Sequence, residues 1–292
     1  MDAIIYYFSG TGNSFAVAKD IAENIDAQMI SIPAIIGGKQ VKITGGIVGI
    51  VFPDYHSSLS TIVKRFLNTI DLPNNQYVFA VCTYGGRGPG LTIAHVKREI
   101  EKMGGNLAAG FAVRMPYNYI VPAFSFKKCA VETTLKQVPV EEQTKMFSEW
   151  EKKCEVITDF INSRKEGVYE TSAELLLKFI DFIKIRESVG KYIWLKMAGY
   201  TGNTSLSFSE SRKLMDHAFY ANETCIACGT CEKICPVSNI TLIENKPTWN
   251  HTCEQCFACL QWCPRSAIQF GKNMENKTRY HHPLIHARDL MI

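Results

Sequence analysis

The stretch CIACGTCEKICP occupies residues 225–236, and a second stretch with the same cysteine spacing, CEQCFACLQWCP, occupies residues 253–264. Both read C-x2-C-x2-C-x3-C-P, and their first cysteines are 28 residues apart. A zinc site needs only four ligands, usually two CxxC pairs with a longer gap between them, so zinc does not explain a third cysteine at the same step. Three thiolates on one tight loop suit three corners of a cubane cluster. The spacing therefore predicts iron–sulfur chemistry.

The cysteine count also separates these two runs from a disulfide framework. The chain has 11 cysteines, and eight of them lie in the two runs. An odd total in such closely spaced groups, with no export signal at the N-terminus, fits metal ligation in a reducing compartment better than disulfide bonding. We therefore expect a cytoplasmic protein. The three cysteines outside the runs are predicted to be small buried hydrophobic residues, namely Cys82, Cys129 and Cys154.

Length and composition favour two modest domains. The chain has 292 residues, of which 46% are hydrophobic, and this is enough for two separate cores. The net charge is +4, and the basic residues are scattered among acidic ones, so no nucleic-acid partner is expected. No uninterrupted apolar window reaches the length of about 18 residues that a membrane-spanning helix needs. We therefore expect no transmembrane span.

Short apolar runs alternate with amphipathic stretches from residue 3 to about residue 114. The runs are near-continuous, as expected of strands that are buried on both faces of a parallel sheet. They cover residues 3–8, 28–32, 46–52, 77–84 and 107–113. Helical patterns lie between them, at residues 14–25, 58–70 and 90–105. The connection 32–46 is too short and too rich in Pro and Gly for a full helix. The alternation predicts an α/β domain with a doubly wound parallel sheet of five strands.

Two longer helical patterns follow the predicted strands. Residues 141–167 form an amphipathic pattern that we interpret as the last helix of the α/β domain. Its apolar face carries Met146, Trp150, Cys154, Ile157 and Ile161. Residues 171–197 begin with a capping box of Thr171 and Glu174 and carry lysines beside a broad apolar face. We interpret this second pattern as a helical clamp that buries its apolar face against protein, in preference to a helix that lies on a membrane.

The polar loop SGTGNS, residues 9–14, lies between the first predicted strand and the first predicted helix. This position offers backbone N–H groups and the positive end of a helix to an anion. A dinucleotide-binding loop would place glycine at Phe15, and a P-loop would end in Gly-Lys-Ser/Thr; neither pattern is present. Neutral donors to a phosphate monoester come instead from the side chains of Ser9, Thr11, Asn13 and Ser14.

Two further loops are predicted at the same edge of the sheet. Residues 52–58, FPDYHSS, end the third strand, and residues 83–90, TYGGRGPG, end the fourth. The carboxyl ends of parallel strands meet at one edge, where open α/β sheets bind their ligands. Residues 9–14 also resemble the phosphate loop of flavodoxins, with Ser14 where threonine is usual. This resemblance implies FMN as a cofactor, with the two further loops enclosing the flavin ring.

The residues that the flavodoxin resemblance assigns to FMN fall in these three loops. They are Ser9, Gly10, Thr11, Gly12, Asn13, Ser14, Pro53, Tyr55, His56, Thr83, Tyr84, Gly85, Gly86 and Arg87. The two tyrosines are expected to stack on the ring, with ordinary loop packing as the alternative for each. The glycines would bring backbone groups to the flavin N5 edge, and Arg87 would favour the anionic reduced flavin. Residues 115–122, MPYNYIVP, either cover the flavin or form an ordered surface loop.

Residues 208–272 resemble the bacterial two-cluster ferredoxins. In that family the fourth cysteine of each run ligates the cluster of the other run, so the resemblance implies two crossed [4Fe–4S] clusters. One cluster would take Cys225, Cys228, Cys231 and Cys263, and the other would take Cys253, Cys256, Cys259 and Cys235. Ile240 and Ile268 stand at equivalent places after the two runs. Small residues lie between the ligands, where backbone N–H groups approach cluster sulfides, namely Ala227, Gly229 and Ala258.

With both parts in one chain, the protein resembles the flavodoxin–ferredoxin fusion family of anaerobes. The similarity covers nearly the whole chain and includes the tail sequence RYHHP. This similarity implies four divisions of the chain. They are a flavodoxin-like FMN domain at 1–165, a helical linker at 166–206, a two-cluster ferredoxin-like domain at 207–275 and a C-terminal tail at 276–292. His281 and His282 are predicted to lie in a surface tail, in preference to a metal site.

The combination predicts an electron-transfer flavoprotein that relays electrons between the clusters and FMN. Clusters pass single electrons and a flavin stores one or two, so the pair couples one-electron and two-electron partners. The expected partners are a redox protein, either a ferredoxin-type donor or an oxidoreductase, and a small-molecule acceptor. One alternative is a ferredoxin-dependent flavin reductase acting on a quinone or another small organic acceptor, with Tyr55 and His56 as candidate proton donors. The other is a redox-sensing binding module that holds clusters but no flavin.

Overall fold

The computed structural model describes residues 2–38, 40–43, 45–56, 58–73, 76–86, 88–120, 138–172, 191–192, 195–196, 200, 202, 205–271 and 277–292. These residues belong to two compact units. The first unit contains Met1–Tyr117 and Val138–Glu174. The second contains Asn118–Gln137 and Leu175–Ile292. The chain thus crosses from the first unit to the second after Tyr117, inside the stretch 115–122, and returns at Val138.

A six-stranded parallel sheet forms the centre of the first unit. Its strands are β1 (Ala3–Tyr7), β2 (Ala27–Ser31), β4 (Ile47–Pro53), β6 (Tyr77–Tyr84), β7 (Leu107–Arg114) and β8 (Val168–Tyr169). They are arranged in the order β2-β1-β4-β6-β7-β8, and every neighbouring pair is parallel. The first five strands follow the order of flavodoxin-like doubly wound sheets. Two short strands outside this sheet pair with each other, β3 (Val41–Lys42) and β5 (Ile70–Asp71).

The five predicted strands are confirmed, but the predicted number of strands is wrong. The sixth strand, β8, contains only two residues and pairs with Ala109 and Gly110 of β7. The Glu170 carboxylate anchors this edge, because it accepts a hydrogen bond from the Ala112 N–H at 2.7 Å and pairs with Lys153 at 2.6 Å. The described start of the predicted linker is therefore an edge of the sheet. The rest of the helical clamp predicted over 171–197 falls almost entirely outside the described residues.

Helices cover both faces of the sheet, as the doubly wound prediction requires. They are α1 (Asn13–Ile25), α2 (Ile32–Ile35), α3 (Thr61–Leu67), α4 (Thr92–Lys102) and α5 (Val140–Asn162). Ile5 packs in one hydrophobic cluster with α1 and α5. The next residue, Tyr6, faces the other way and lies 4.9 Å from the Phe66 ring of α3. The apolar face predicted for the last helix is buried, with Met146, Trp150, Cys154, Ile157 and Ile161 all inside.

The second unit is a small α+β domain built from two copies of one pattern. Its elements are α6 (Phe208–Leu214), β9 (Phe219–Ala221), α7 (Thr230–Lys233), β10 (Ile240–Ile243), β11 (Lys246–Trp249), α8 (Ala258–Gln261) and β12 (Ile268–Phe270). Each cysteine run contains a short helix and is followed by a strand. The strands pair across the repeat, because β9 is antiparallel to β12 and β10 is antiparallel to β11. Ile240 faces Trp249 and Ile268 faces Ala221, and these two pairs are related by the same 28-residue step as the cysteines.

Within the described ranges, no helix is long and apolar enough to cross a membrane.

A side-chain hydrogen bond joins the two helices on one face of the sheet. The Trp150 indole Nε1 of α5 donates to the Asp20 carboxylate of α1 at 2.6 Å. Burial raises the pKa of Asp20, and the bond from Trp150 offsets part of that effect. The carboxylate therefore stabilises the unit as a hydrogen-bond acceptor, whereas its negative charge is destabilising because it is partly buried.

Exchanging Asp20 separates these two contributions. We expect Asp20→Asn to keep the acceptor, remove the charge and leave the unit at least as stable as the wild type at pH 7. Asp20→Ala leaves the indole N–H without its acceptor, so it should cost about 1–3 kcal/mol. Urea denaturation followed by circular dichroism measures both. Because the folded state holds the Asp20 proton more tightly than the unfolded state, this group adds stability as the pH falls toward its raised pKa. The Asn variant should lack that component.

Candidate functional site

The second unit contains a cavity lined by four cysteines at one end of the repeat. The thiols are those of Cys225, Cys228, Cys231 and Cys263. The wall also contains the apolar side chains of Leu242 and Ile268 together with Arg265. We call this the first cavity. Three of its cysteines come from the first run and the fourth comes from the second run.

A second cavity lies at the other end of the repeat and is lined by Cys235, Cys253, Cys256 and Cys259. Its wall contains the aromatic residues Phe219, Trp249 and Phe257, with Glu254 as the charged member. Among the described residues, no three His, Cys, Asp or Glu side chains are grouped to hold a single metal ion. The four thiols of each cavity are instead spread around a space. The two sets of four cysteines match the two ligand sets that the ferredoxin resemblance implies.

The backbone around the cysteines repeats as closely as their spacing does. Left-handed φ angles occur at Ala227 (53°) and Gly229 (74°), and again 28 residues later at Gln255 (56°) and Phe257 (58°). The left-handed region is unfavourable for residues with a Cβ atom, so its use by Gln255 and Phe257 shows how strictly the loop shape is set. In each run it turns the chain so that the third cysteine lies in the first turn of a short helix.

Backbone N–H groups point at several cysteine sulfurs. Asn239 N lies 3.2 Å from Cys235 Sγ, and its repeat equivalent, Ala267 N, lies 3.2 Å from Cys263 Sγ. Gln255 N lies 3.2 Å from Cys253 Sγ. Donors of this kind stabilise a thiolate that carries metal and tune its redox potential. The two crossing cysteines therefore share the same hydrogen-bonding environment.

The cavities fit a group that supplies both positive charge and sulfur acceptors. Burial raises the pKa of Cys231 to about 11 and the pKa of Cys256 to about 12, so these thiols are neutral until a metal displaces their protons. The Trp249 indole Nε1 is buried in the wall of the second cavity, and no acceptor in the described ranges meets hydrogen-bond geometry. Burial raises the pKa of the Cys259 thiol, and the Trp249 indole N–H counters part of this effect. Thiols in sets of four, with donors aimed at sulfur, fit an iron–sulfur cluster.

The two cavities differ in their exposure to solvent. Cys228 of the first cavity is exposed, and Cys225 and Cys263 are partly exposed. Beside them Ile226 shows 60% of its surface to solvent. Three of the four cysteines of the second cavity are buried. The first cavity is therefore the more accessible end of the unit.

Aromatic and amide side chains that the sequence did not single out support the second cavity. The Asn118 side chain donates to the Cys256 carbonyl at 2.7 Å, and the Tyr119 ring lies 5.4 Å from the Phe257 ring. Gln261 is buried, donates to the Asn118 carbonyl and accepts from the Tyr280 N–H at 2.8 Å. Residues 118–120 thus belong to the second unit and are not a surface loop.

The C-terminal tail packs on the second unit, so the predicted surface tail is wrong at several positions. Tyr280 and His282 are buried. His281 stacks on the Trp262 ring at 4.2 Å. Burial lowers the pKa of His282 to about 4, so its imidazole is neutral at physiological pH. These contacts explain the aromatic and histidine content of the tail without a metal.

The loop at residues 9–14 lies in the first unit, where β1 meets α1, as predicted. Gly12 adopts the left-handed φ of 95° directly before the helix, and its N–H donates to Ser9 Oγ at 3.1 Å. Thr11, Asn13 and Ser14 are buried. The loop therefore turns tightly at Gly12 and presents the first N–H groups of a 13-residue helix at the carboxyl edge of the sheet.

Two loop side chains serve to hold the loop in place. Asn13 Nδ2 donates to the Pro116 carbonyl at 2.7 Å, and Ser14 Oγ lies 2.8 Å from Thr83 Oγ1. These bonds tie the loop to the residues that follow β7 and to the end of β6. The structure thus brings Asn13, Ser14 and Thr83 together, although with roles in support of the loop that the sequence did not suggest.

The other predicted flavin residues lie at the same edge of the sheet but differ in burial and backbone conformation. Pro53 ends β4, and Tyr55 is buried with its ring edge-on to Phe8 at 6.0 Å. His56 has a left-handed φ of 61°. Tyr84 ends β6 half-buried, and burial raises the pKa of its phenol.

The two glycines that follow β6 lie in different surroundings. The space where Gly85 would carry a Cβ is taken by Tyr117. An added Cβ at Gly86 meets nothing within 4 Å. The predicted site residue Arg87 lies outside the described residues. Gly85 is therefore required by close packing, whereas Gly86 adjoins open space.

Two of the three cysteines outside the runs can be placed. Cys82 and Cys154 are buried in the first unit, and burial raises the pKa of both thiols, to about 12 for Cys154. The prediction that they are small hydrophobic residues is confirmed. Cys129 lies outside the described residues.

Comparison with known proteins locates the iron–sulfur signal. The 4Fe-4S binding domain model matches residues 219–241, so this part of the chain carries an iron–sulfur motif. A search of curated proteins finds no match. Among solved structures, the chain is similar to a flavodoxin from the domain Archaea (16% identity, 39% of this chain and 83% of that one, TM-score 0.29).

Two further solved structures show likeness of the same degree. One is the rubredoxin oxygen:oxidoreductase from Desulfovibrio gigas (15% identity, 56% of this chain and 36% of that one, TM-score 0.35). The other is an FMN-dependent NADH-azoreductase from Bacillus anthracis in complex with FMN (10% identity, 54% of this chain and 100% of that one, TM-score 0.35). Sheet order and the iron–sulfur motif together describe a chain with a flavodoxin-like α/β unit and an iron–sulfur unit.

The Gln261 network yields a structural prediction. Gln261→Met removes both amide contacts with little change in volume, so the Tyr280 N–H loses its acceptor. We expect faster hydrogen exchange at residues 118–120 and 279–285. Gln143→Met is a matched control, because among the described residues that amide donates to the Val138 carbonyl of the first unit. Equal exchange in the two variants would contradict the supporting role of Gln261.

Proposed function

We propose that this chain is an electron-transfer flavoprotein in which two [4Fe–4S] clusters exchange electrons with FMN. The observation that carries the proposal is the pair of four-cysteine cavities, each completed by a cysteine from the other run. Cys225, Cys228, Cys231 and Cys263 would hold one cluster, and Cys253, Cys256, Cys259 and Cys235 the other. When bound, the clusters supply one-electron steps and the flavin supplies one- or two-electron steps.

The chain's own residues would set the properties of each cluster site. Asn239 N and Ala267 N donate to the crossing cysteines and so stabilise thiolate over thiol. Phe219, Trp249 and Phe257 exclude water from the second cavity. The exposed thiol of Cys228 and the exposed side chain of Ile226 make the first cavity the better place for a redox protein, such as a ferredoxin-type donor, to exchange electrons.

The loops of the first unit would hold FMN by its phosphate and its ring. Asn13 and Ser14 fix the loop, so the phosphate would be held by N–H groups at the start of α1 and by the hydroxyls of Ser9 and Thr11. Tyr84 and the open side of Gly86 are the described features that suit an isoalloxazine ring and access by a small acceptor. We extend the same proposal to Pro53, Tyr55, His56 and Arg87.

A relay predicts that flavin reduction depends on the clusters. Protein purified without oxygen should contain iron, sulfide and FMN, and a reduced ferredoxin-type donor should reduce the FMN. Cys225→Ala with Cys253→Ala should abolish that reduction in stopped-flow measurements while FMN stays bound. Cys154→Ala is the control, because this thiol is buried in the first unit outside both runs. Unchanged flavin reduction in the double variant would refute the relay, and absence of FMN from the wild type would favour a redox-sensing module.

Crossed ligation predicts which cysteine variants resemble each other. Cys263→Ala should remove the same cluster as Cys228→Ala, with about half of the iron lost and matching EPR spectra of the remaining cluster. Cys235→Ala should match Cys256→Ala in the same way. Combining Cys228→Ala with Cys263→Ala should cost no more iron than either change alone. If Cys263→Ala instead matches Cys256→Ala, each run ligates its own cluster and the crossed assignment is wrong.

A further inference from the structure

Arg279 is anchored to the strand that follows the second cysteine run. Its Nη2 atom donates to the Ile268 carbonyl at 2.8 Å and lies 3.3 Å from both the Ser266 carbonyl and Gln269 Oε1. The side chain reaches these atoms from the C-terminal tail, where Tyr280 is buried. The position of the guanidinium is thus fixed by β12 and by the packing of the tail.

The other nitrogens of this guanidinium lack acceptors. Nε and Nη1 are both buried, and neither finds a hydrogen-bond partner in the described part of the chain. Buried charged donors without acceptors are strongly disfavoured, so such a group in a native fold calls for an explanation. Burial lowers the pKa of Arg279, and the sulfurs of Cys263 and Cys259 counter this effect. Cys263 lines the first cavity and Cys259 lines the second.

We propose that the guanidinium of Arg279 stabilises the reduced state of the iron–sulfur clusters through its positive charge and its buried N–H groups. This inference rests on the proposed function, in which both cavities hold clusters. One-electron reduction adds one negative charge to a cluster and requires no proton, so a fixed cation nearby stabilises the product. In low-dielectric surroundings that stabilisation is larger than at an exposed site. The cluster held by Cys263 should receive the larger effect, because Arg279 bonds to Ile268, which lines the first cavity.

The position of Arg279 links it to the cavity that Cys263 completes. Cys263 is the cysteine that crosses to the first cavity, and Arg279 bonds to the strand directly after it. The exposed Arg265 also lines the first cavity, but solvent screens it. Glu254 is the charged residue in the wall of the second cavity. That carboxylate interacts with the buried Arg212, so it does not give the second cavity an uncompensated negative charge.

The test is an anaerobic potentiometric titration followed by EPR on wild type, Arg279→Gln, Arg279→Lys and the control Arg288→Gln. Arg288 lies in the same tail with its side chain 80% exposed. We expect Arg279→Gln to make reduction of the Cys263 cluster about tenfold less favourable, which corresponds to about 59 mV for one electron. Arg279→Lys should lower the midpoint less, because it keeps the charge and loses the planar set of donors. Arg288→Gln should leave both midpoints unchanged.

Iron and sulfide content separates the possible failures. If wild-type protein holds no clusters, the proposed function fails and this inference with it. If wild type is fully loaded and Arg279→Gln has the same midpoints as Arg288→Gln, only the role of Arg279 is refuted. Should Arg279→Gln fail to retain clusters, Arg279→Met, which also removes the charge, decides the question: a lowered midpoint of the Cys263 cluster supports the role, and an unchanged one overturns it.

Discussion

Cys235 lines the cavity of the second run, and Cys263 lines the cavity of the first. Neither run closes a four-thiol cavity from its own residues. The strands obey the same rule, since β9 pairs with β12 and β10 with β11, so each ladder also takes one member from each half. Cysteine ligation and sheet pairing therefore depend on each other. Among the described residues, a hydrophobic cluster spans both halves of the unit; Cys235 belongs to it and Cys263 packs against it.

The two units offer different kinds of binding site to a charged group. The first unit offers backbone N–H groups at the end of a buried sheet and uses the side chains of Asn13 and Ser14 to fix their loop. The second unit offers thiols whose protons must be displaced, inside walls that are largely apolar. A phosphate group carries its own charge to the first kind of site. Under the proposed function, the second kind would acquire its charge only when metal binds, so metal loading would be coupled to folding there.

Features with a strict geometric period could be predicted from the sequence. The 28-residue step of the cysteines reappears in the helices, strands and left-handed residues, because each run must present three sulfurs to one cavity. The five main strands were visible as apolar runs. The edge strand Val168–Tyr169 was not, because two residues do not form a pattern and the bonds that hold them come from Glu170 and Lys153.

Other features depend on contacts between residues far apart in sequence. Glycine at position 229 signals a left-handed turn, but glutamine at 255 and phenylalanine at 257 conceal the same turn, which only the repeat imposes. The polar composition of the tail suggested exposure, whereas Tyr280 and His282 are buried by Gln261 and its neighbours. The role of Asn118 was hidden for the same reason, because its acceptor, the Cys256 carbonyl, lies 138 residues further along the chain.

The exchange of cysteines also has a consequence for biosynthesis. A ribosome releases the chain from its N-terminus, so Cys225, Cys228 and Cys231 emerge well before Cys263. The first cavity stays open on one side during that interval. Cys235, already made, waits in turn for the three cysteines of the second run. The second cavity gains its last cysteine when residue 259 leaves the ribosome, and the first gains its last only four residues later, when residue 263 does. Under the proposed function, neither cluster site could therefore be complete before nearly all of the second run has been made.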